Sequence, residues 1–216
     1  MTDLLHQLID FILHIDKHLV ELVNEYDKST YLILALIIFC ETGLVVTPFL
    51  PGDSLLFAAG AIAATGSLSL PLLIIILFTA AMLGDNTNYF IGNFLGHKLI
   101  ESKRRIIKKK YIDQTHQFYE KHGGKAIVIA RFAPIMRTFA PFVAGLGSMT
   151  YKRFFGFCVL GNALWICCFS IAGYIFGNIE IVKRNFTFVI FGIILISLLP
   201  MVIAVIRQKY FTKKTT

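Results

Sequence analysis

Long apolar stretches alternate with polar stretches along this chain. The polar stretches cover 3–26 and 98–122, and the apolar ones cover 31–64, 71–95, 126–147, 154–176 and 186–206. In both polar stretches, leucine, isoleucine or aromatic residues recur at helical spacing between charged side chains, which predicts amphipathic helices lying along a membrane surface. The apolar stretches 71–95, 154–176 and 186–206 are long enough to cross a bilayer as helices.

The other two apolar stretches are interrupted by prolines and charged side chains. As one straight helix, the stretch 31–64 would measure about 51 Å, whereas the hydrocarbon core is roughly 30 Å thick. A proline inside a helix removes a hydrogen bond and breaks or kinks it. We therefore predict that 31–64 and 126–147 each form a re-entrant helical hairpin. The predicted breaks are Pro48, Pro51 and Gly52 in the first hairpin and Pro134 and Pro141 in the second.

The order of the elements repeats: surface helix, hairpin and span occur twice, and one more span follows. Gly84-Asp85 and Gly96 in the first unit have the same spacing as Gly161-Asn162 and Gly173 in the second. The predicted fold is an all-α polytopic membrane protein. It is an inverted repeat of amphipathic helix, re-entrant helical hairpin and transmembrane helix, plus one C-terminal transmembrane helix, in a single domain over 1–216.

Composition and charge agree with this class and indicate an orientation. The chain is 56% hydrophobic and 16% charged, with a mean hydropathy of +0.70. Its net charge of +8 is uneven, because 97–125 holds nine lysines and arginines and further ones follow in 148–153 and after 206. Basic loops stay in the cytoplasm, so we predict a cytoplasmic C-terminus and an outward-facing N-terminal helix. The two hairpins then enter from opposite faces, as in inverted-repeat transporters.

Acidic side chains within the apolar sequence are candidates for function. Glu41 and Asp53 flank the turn of the first hairpin, and Asp85 lies on the neighbouring span. An ionisable group at membrane depth costs roughly 2.5 to 3.5 kcal/mol on insertion scales. Burial favours the neutral carboxyl and a nearby arginine favours the charged one, so each acid can exchange protons near neutral pH. The alternatives are that Asp53 caps the outgoing arm and that Asp85 bonds to Asn86 or Asn88.

Two arginines lie in the second hairpin. Pro134 separates Arg131 from Arg137, and the break that it introduces lets both side chains converge. A guanidinium group matches phosphate oxygens with two parallel hydrogen bonds, which a lysine cannot do. The pair therefore predicts a binding site for an anionic, phosphate-bearing ligand. The alternative is that the arginines only neutralise Glu41 and Asp53 in buried ion pairs, and both hold if the pairs open when ligand arrives.

Other kinds of chemistry are not indicated. The four cysteines lie in apolar segments without metal-ligand spacing, and the histidines lie on polar helix faces, so we predict neither a metal nor a cofactor. The basic run 103–110 adjoins a span, which predicts attraction to anionic lipid headgroups and no nucleic acid partner. The sequence contains no nucleophile elbow, Walker loop or zincin signature, and an enzyme is therefore not predicted.

Taken together, these motifs resemble the DedA family of bacterial inner-membrane proteins, whose core is also called the VTT or SNARE-associated domain. The resemblance rests on 39–43, 47–54, 84–89, 116–125 and 130–145. It implies a multi-pass protein of the bacterial inner membrane with two opposed re-entrant hairpins. In that membrane, the outward-facing N-terminal helix predicted from the charge distribution would face the periplasm. Family members are linked to flipping or recycling of undecaprenyl phosphate and to the proton motive force, and distant eukaryotic relatives scramble phospholipids.

Residue by residue, the acids that function in the family match Glu41 and Asp53, and its functional arginines match Arg131 and Arg137. The leading hypothesis is a transporter that carries a polyprenyl phosphate from the outer to the inner leaflet, with membrane lipids and protons as its partners. Three alternatives stay open: a proton-coupled exporter of small cations or drugs, a general phospholipid scramblase, and a scaffold for envelope proteins. A homo-oligomer is compatible with the sequence.

Overall fold

The computed structural model describes residues 29–44, 52–101, 123–147 and 149–180, with isolated positions between 182 and 195. The predicted surface helix 3–26 lies outside these residues, as do most of the basic stretch 98–122 and most of the last span. Six helices are described, and no described residue forms a strand. They are α1 (Thr30–Gly43), α2 (Gly52–Ala64), α3 (Leu70–Glu101), α4 (Lys125–Ala130), α5 (Pro134–Leu146) and α6 (Tyr151–Phe176).

Two of these helices are long and apolar enough to cross a membrane. They are α3 over Leu70–Leu95 and α6 over Tyr151–Phe176. With a rise of 1.5 Å per residue, each such stretch measures about 39 Å and exceeds a hydrocarbon core of roughly 30 Å. Helix α3 also continues to Glu101, into the stretch that we predicted as the start of a separate surface helix. No proline interrupts this stretch, so nothing in the local sequence ends the helix at the predicted boundary.

The first interrupted stretch forms two separate helices. α1 ends at Gly43, α2 begins at Gly52, and the predicted breaks at Pro48 and Pro51 lie in the undescribed residues between them. Asp53 falls in the first turn of α2, where a negative charge interacts favourably with the helix dipole. The re-entrant path through the membrane stays a prediction.

The second interrupted stretch also forms two helices, but with one break where we predicted two. Pro134 occupies the start of α5, where its missing N–H leaves no hydrogen bond unmade, and Ala133 before it is extended. Pro141 lies inside α5, which continues to Leu146. The predicted break at Pro141 is therefore wrong. Membrane helices tolerate an interior proline because neighbouring groups can satisfy the backbone that it frees.

The helices pack in a crossed arrangement. α3 packs against α1 and α5, whereas α6 packs against α4 and α2, and the two long helices also touch each other. The first arm of each interrupted stretch thus lies on the long helix that follows it, and the second arm lies on the long helix of the other unit. This exchange has the pattern of an interleaved internal repeat. It brings the first turns of α2 and α5 within side-chain contact of each other.

Glycines make this crossing possible by letting backbones touch. A Cβ atom at Gly173 of α6 would lie 2.0 Å from the carbonyl oxygen of Phe57 on α2, and one at Gly60 would lie 2.1 Å from a carbonyl oxygen of α6. No side chain fits at such distances, and small residues at helix crossings are the usual solution in membranes. Where α3 meets α5, similar backbone contacts occur at Gly92 and Gly145.

Candidate functional site

Five charged side chains are buried in the centre of this helix assembly. As whole residues, the five are at most 4% exposed: Glu41, Asp53, Asp85, Arg131 and Arg137. They come from five parts of the chain, namely α1, α2, α3, the turn after α4, and α5. All five were singled out from the sequence, and the crossed packing brings them together in two linked groups.

Arg137 joins the two interrupted stretches. Its Nη2 atom lies 2.8 Å from Oε1 of Glu41, and its Nη1 atom donates a hydrogen bond of 2.7 Å to Oδ1 of Asp53. The same Oε1 atom of Glu41 accepts the backbone N–H of Gly52 at 3.2 Å. Glu41 therefore helps to cap α2, a role that the sequence suggested only for Asp53. Removing Arg137 would leave two carboxylates buried without their cation.

Trp165 supports this group from α6, and sequence reasoning missed its role. The indole Nε1–H donates a hydrogen bond of 2.8 Å to Oδ1 of Asp53. The guanidinium carbon of Arg137 lies 4.7 Å from the centroid of the same ring, a cation–π distance. Trp165 is the only tryptophan in the chain and lies three residues, one helical turn, after Asn162. That spacing was the signal available in the sequence.

Arg131 forms a second group with Asp85 and Asn162. Its Nη2 atom pairs with Oδ2 of Asp85, and the same oxygen accepts a hydrogen bond of 2.7 Å from the Asn162 side chain. The expected alternative, in which Asp85 bonds to Asn86 or Asn88, is wrong in this structure. The alternative in which both arginines pair with Glu41 and Asp53 is correct for Arg137 only, because the ion pair of Arg131 is with Asp85.

Asn88 ties the same region together through backbone groups. Its side-chain amide donates to the carbonyl oxygen of Thr42 at 3.2 Å and to that of Thr138 at 2.7 Å. Thr42 belongs to α1 and Thr138 to α5, so one amide on α3 holds an arm of each interrupted stretch. Such bonds satisfy carbonyl groups that water cannot reach.

Several buried polar atoms of the site have no hydrogen-bond partner among the described residues. The donors are Nε and Nη1 of Arg131 and Nε of Arg137, and the acceptors include Oε2 of Glu41, Oδ1 of Asp85 and Oδ1 of Asn162. Native proteins pair nearly all buried polar groups with protein, water or ligand. The site therefore retains the capacity to bind a ligand with both acceptor and donor groups.

The outer surface of the assembly is apolar, in contrast to its charged centre. On α3, Ile75 and Phe94 are 62% and 60% exposed, and on α6 Ile175 is 57% exposed. A polar interior surrounded by exposed apolar side chains is the arrangement expected of helices in a lipid bilayer. The charged groups thus lie inside the protein, away from the lipid chains.

We expect Trp165→Phe to destabilise the protein, because the phenyl ring fills most of the space but cannot donate to Asp53. Loss of one partner of a buried charged group costs about 1 to 3 kcal/mol. The effect is measured as a change in the free energy of unfolding, obtained by titrating the protein in detergent micelles with sodium dodecyl sulfate. Tyr174→Phe, at an exposed position of the same helix, serves as the control. Equal stability of the two variants would contradict this role of the indole.

Comparison with known proteins finds both a family and individual relatives that match most of this chain. The VTT domain family matches residues 50–175, which include four of the five buried charged side chains. No solved structure matches the chain. Protein DedA of Escherichia coli (strain K12) is 56% identical over 210 residues, which cover 96% of each chain.

More distant relatives are also named as membrane proteins. An uncharacterized membrane protein of Mycobacterium leprae (strain TN) is 43% identical over 169 residues, or 78% of this chain and 76% of the relative. The inner membrane protein YqjA of Escherichia coli (strain K12) is 35% identical over 149 residues, or 68% of each chain. The extent of these matches and the two long apolar helices lead to one conclusion: the chain belongs to the DedA family of membrane proteins, which share the VTT domain.

Proposed function

We propose that this protein moves a lipid with a phosphate headgroup between the two leaflets of the bacterial inner membrane, and that the lipid is a polyprenyl phosphate such as undecaprenyl phosphate. The observation that carries the proposal is the burial of Arg131 and Arg137 between interrupted helices, where both have N–H groups without a hydrogen-bond partner among the described residues. Guanidinium groups bind phosphate oxygens strongly, and a low-dielectric surrounding strengthens the interaction.

The apolar exterior supports a lipid as the cargo. A polyprenyl chain can remain among lipid tails beside exposed side chains such as those of Ile75 and Phe94, while its headgroup passes through the polar centre. A phosphate group crossing the hydrocarbon core alone would meet a large desolvation cost. The buried arginines lower this cost by pairing with the phosphate oxygens.

The carboxyl groups support coupling to protons. When a phosphate approaches the arginines, it competes with Glu41, Asp53 and Asp85 for the same positive charges. A displaced carboxylate in an apolar surrounding becomes neutral by taking up a proton. Entry of the headgroup and of protons is then linked, as a dependence on the proton motive force requires. In this proposal the C-terminus is cytoplasmic and the N-terminal helix is periplasmic.

The test uses purified protein in liposomes that contain undecaprenyl phosphate. A phosphatase added outside cleaves only the headgroups in the outer leaflet, so the cleaved fraction should rise from about half to nearly all when the protein is present. An imposed pH gradient should change the rate at which the lipid moves between the leaflets. We expect Arg131→Lys and Arg137→Lys each to lower the rate of lipid movement at least about tenfold, because lysine can form neither a paired contact with phosphate nor the two separate carboxylate contacts that Arg137 makes.

Each alternative gives a different result in this assay. A fluorescent phosphatidylcholine in the same vesicles, reduced from outside by dithionite, should stay protected, and equal movement of both lipids would indicate a general scramblase. A scaffold moves neither lipid. A cation exporter likewise moves neither and releases a loaded cation on acidification, and it keeps this activity when the arginines become lysines. Any of these three results would contradict the proposed transport of a polyprenyl phosphate.

A further inference from the structure

We infer that the two arginines have different tasks: the phosphate headgroup binds at Arg131, beside Asp85 and Asn162, whereas Arg137 with Glu41 and Asp53 holds the proton and locks the two interrupted stretches together. The inference rests on the proposed function and deepens it. We call Arg131, Asp85 and Asn162 the Arg131 group, and Arg137, Glu41 and Asp53 the Arg137 group.

The Arg137 group is already occupied. Both terminal nitrogens of Arg137 contact carboxylate oxygens, and the Trp165 ring lies against the guanidinium group. Nε alone among its three nitrogens lacks a hydrogen-bond partner in the described part of the chain. A phosphate would have to displace Glu41 or Asp53 to gain a paired contact there. Such a displacement opens the contact between α5 and the first interrupted stretch.

In the Arg131 group, only part of the guanidinium group is paired. One of its three nitrogens binds Asp85, with the Cys158 sulfur atom 3.8 Å away, whereas Nε and Nη1 have no partner among the described residues. A phosphate can therefore begin to bind Arg131 through these two nitrogens while Asp85 still holds the third, and it then competes with Asp85 for the charge of the guanidinium group. The Oδ1 atom of Asn162 lies in the same group, has no hydrogen-bond partner in the described part of the chain, and can accept the O–H of a singly protonated phosphate ester.

The charges lead to the same division. The Arg131 group pairs one cation with one carboxylate and is formally neutral, whereas the Arg137 group pairs one cation with two carboxylates and carries a formal charge of −1 when all are ionised. The Arg137 group therefore repels an anion, whereas the Arg131 group does not. A proton, in contrast, neutralises the Arg137 group.

The geometry places this proton on Glu41. Its Oε2 atom is buried without a hydrogen-bond partner in the described structure, while Oε1 is held by Arg137 and by the N–H of Gly52. The charged and titratable groups that surround it come from every packed element. Those that act on Glu41 are Arg137 on α5, Asp53 on α2 and, farther away, Arg131 after α4, whereas Asp85 on α3 and Cys158 on α6 contact Arg131.

The experiment compares two isosteric variants that each remove one negative charge, Asp85→Asn and Glu41→Gln. Farnesyl phosphate is titrated into the purified full chain in detergent at pH 7, and isothermal titration calorimetry measures its Kd. We expect Asp85→Asn to bind at least about tenfold more tightly than the unchanged protein, since Arg131 loses its competing carboxylate. Glu41→Gln should change the Kd by less than about threefold, as expected for a more distant charge. A gain in affinity cannot arise from misfolding.

Three other outcomes are decisive. If Glu41→Gln strengthens binding as much as Asp85→Asn, the headgroup lies on Arg137 and the division of tasks fails, although the proposed function stands. If the unchanged protein neither binds farnesyl phosphate nor moves undecaprenyl phosphate, the proposed function itself fails. If inorganic phosphate binds as tightly as farnesyl phosphate, the Arg131 group accepts a free anion, which overturns a lipid as the cargo.

Discussion

Replacing Arg137 with methionine is expected to lower the free energy of unfolding by about 3 to 5 kcal/mol and to abolish lipid movement. Methionine fills similar space but leaves Glu41 and Asp53 buried without a cation, and breaking a buried ion pair from one side has this cost. Unfolding of the purified protein in mixed micelles, titrated with sodium dodecyl sulfate, gives the free energy, and the phosphatase assay in liposomes gives the transport rate.

A compensating variant separates the charge effect from a packing effect. Glu41→Gln and Asp53→Asn added to Arg137→Met remove all three charges, so we expect stability to recover by at least about half while transport stays absent. Lys152→Met, at an exposed position of α6, is the matched control and should change stability by less than about 0.5 kcal/mol. If the triple variant is no more stable than Arg137→Met, the loss does not come from the unpaired carboxylates.

The second large effect is expected from a single methyl group. Gly173→Ala should cost about 1 to 3 kcal/mol or more, because the new Cβ atom would lie 2.0 Å from the Phe57 carbonyl oxygen, and a backbone atom cannot move aside alone. The helices α2 and α6 must then separate. Phe57 lies one turn after Asp53 on α2, so the contact between Asp53 and Trp165 should lengthen and transport should fall with stability.

The matched control lies on the same helix. A Cβ atom at Gly156 would meet no described atom within 4 Å, so Gly156→Ala should be neutral or stabilise by up to about 1 kcal/mol through its better helix propensity. Both variants are measured by unfolding in micelles and by the liposome assay. A Gly173→Ala protein as stable as Gly156→Ala would show that α2 and α6 do not cross in backbone contact.

The two predictions concern the same junction from different sides. Arg137 holds the first and second interrupted stretches together by charge, and Gly173 lets α2 approach α6 closely enough for Trp165 to reach Asp53. Either change should therefore disturb the same buried site. Because α2 packs against the long helix of the other unit, this site exists only when both halves of the chain are assembled.

Much of the candidate site could be predicted from local sequence. An acid or arginine within apolar sequence is costly in a membrane, and this rule alone singled out all five buried charged side chains, among them Asp85 and Arg131. Proline rules correctly placed the break at Pro134. They failed at Pro141, because whether an interior proline ends a helix depends on the groups that pack around it, which local sequence does not show.

The sequence by itself determined the class of protein, the long apolar helices and the charged side chains that would need partners. These features depend on the spacing of apolar residues, on prolines and on the cost of burying a charge, all of which can be recognised within a short segment of the chain. Only the tertiary structure decided which partners they have. Asp85 pairs with Arg131, Arg137 pairs with two carboxylates, and Trp165 donates a hydrogen bond to one of them. These contacts join residues 46 to 112 positions apart in the chain. Such pairings follow from the crossing of whole helices at glycines, and no local pattern encodes that geometry.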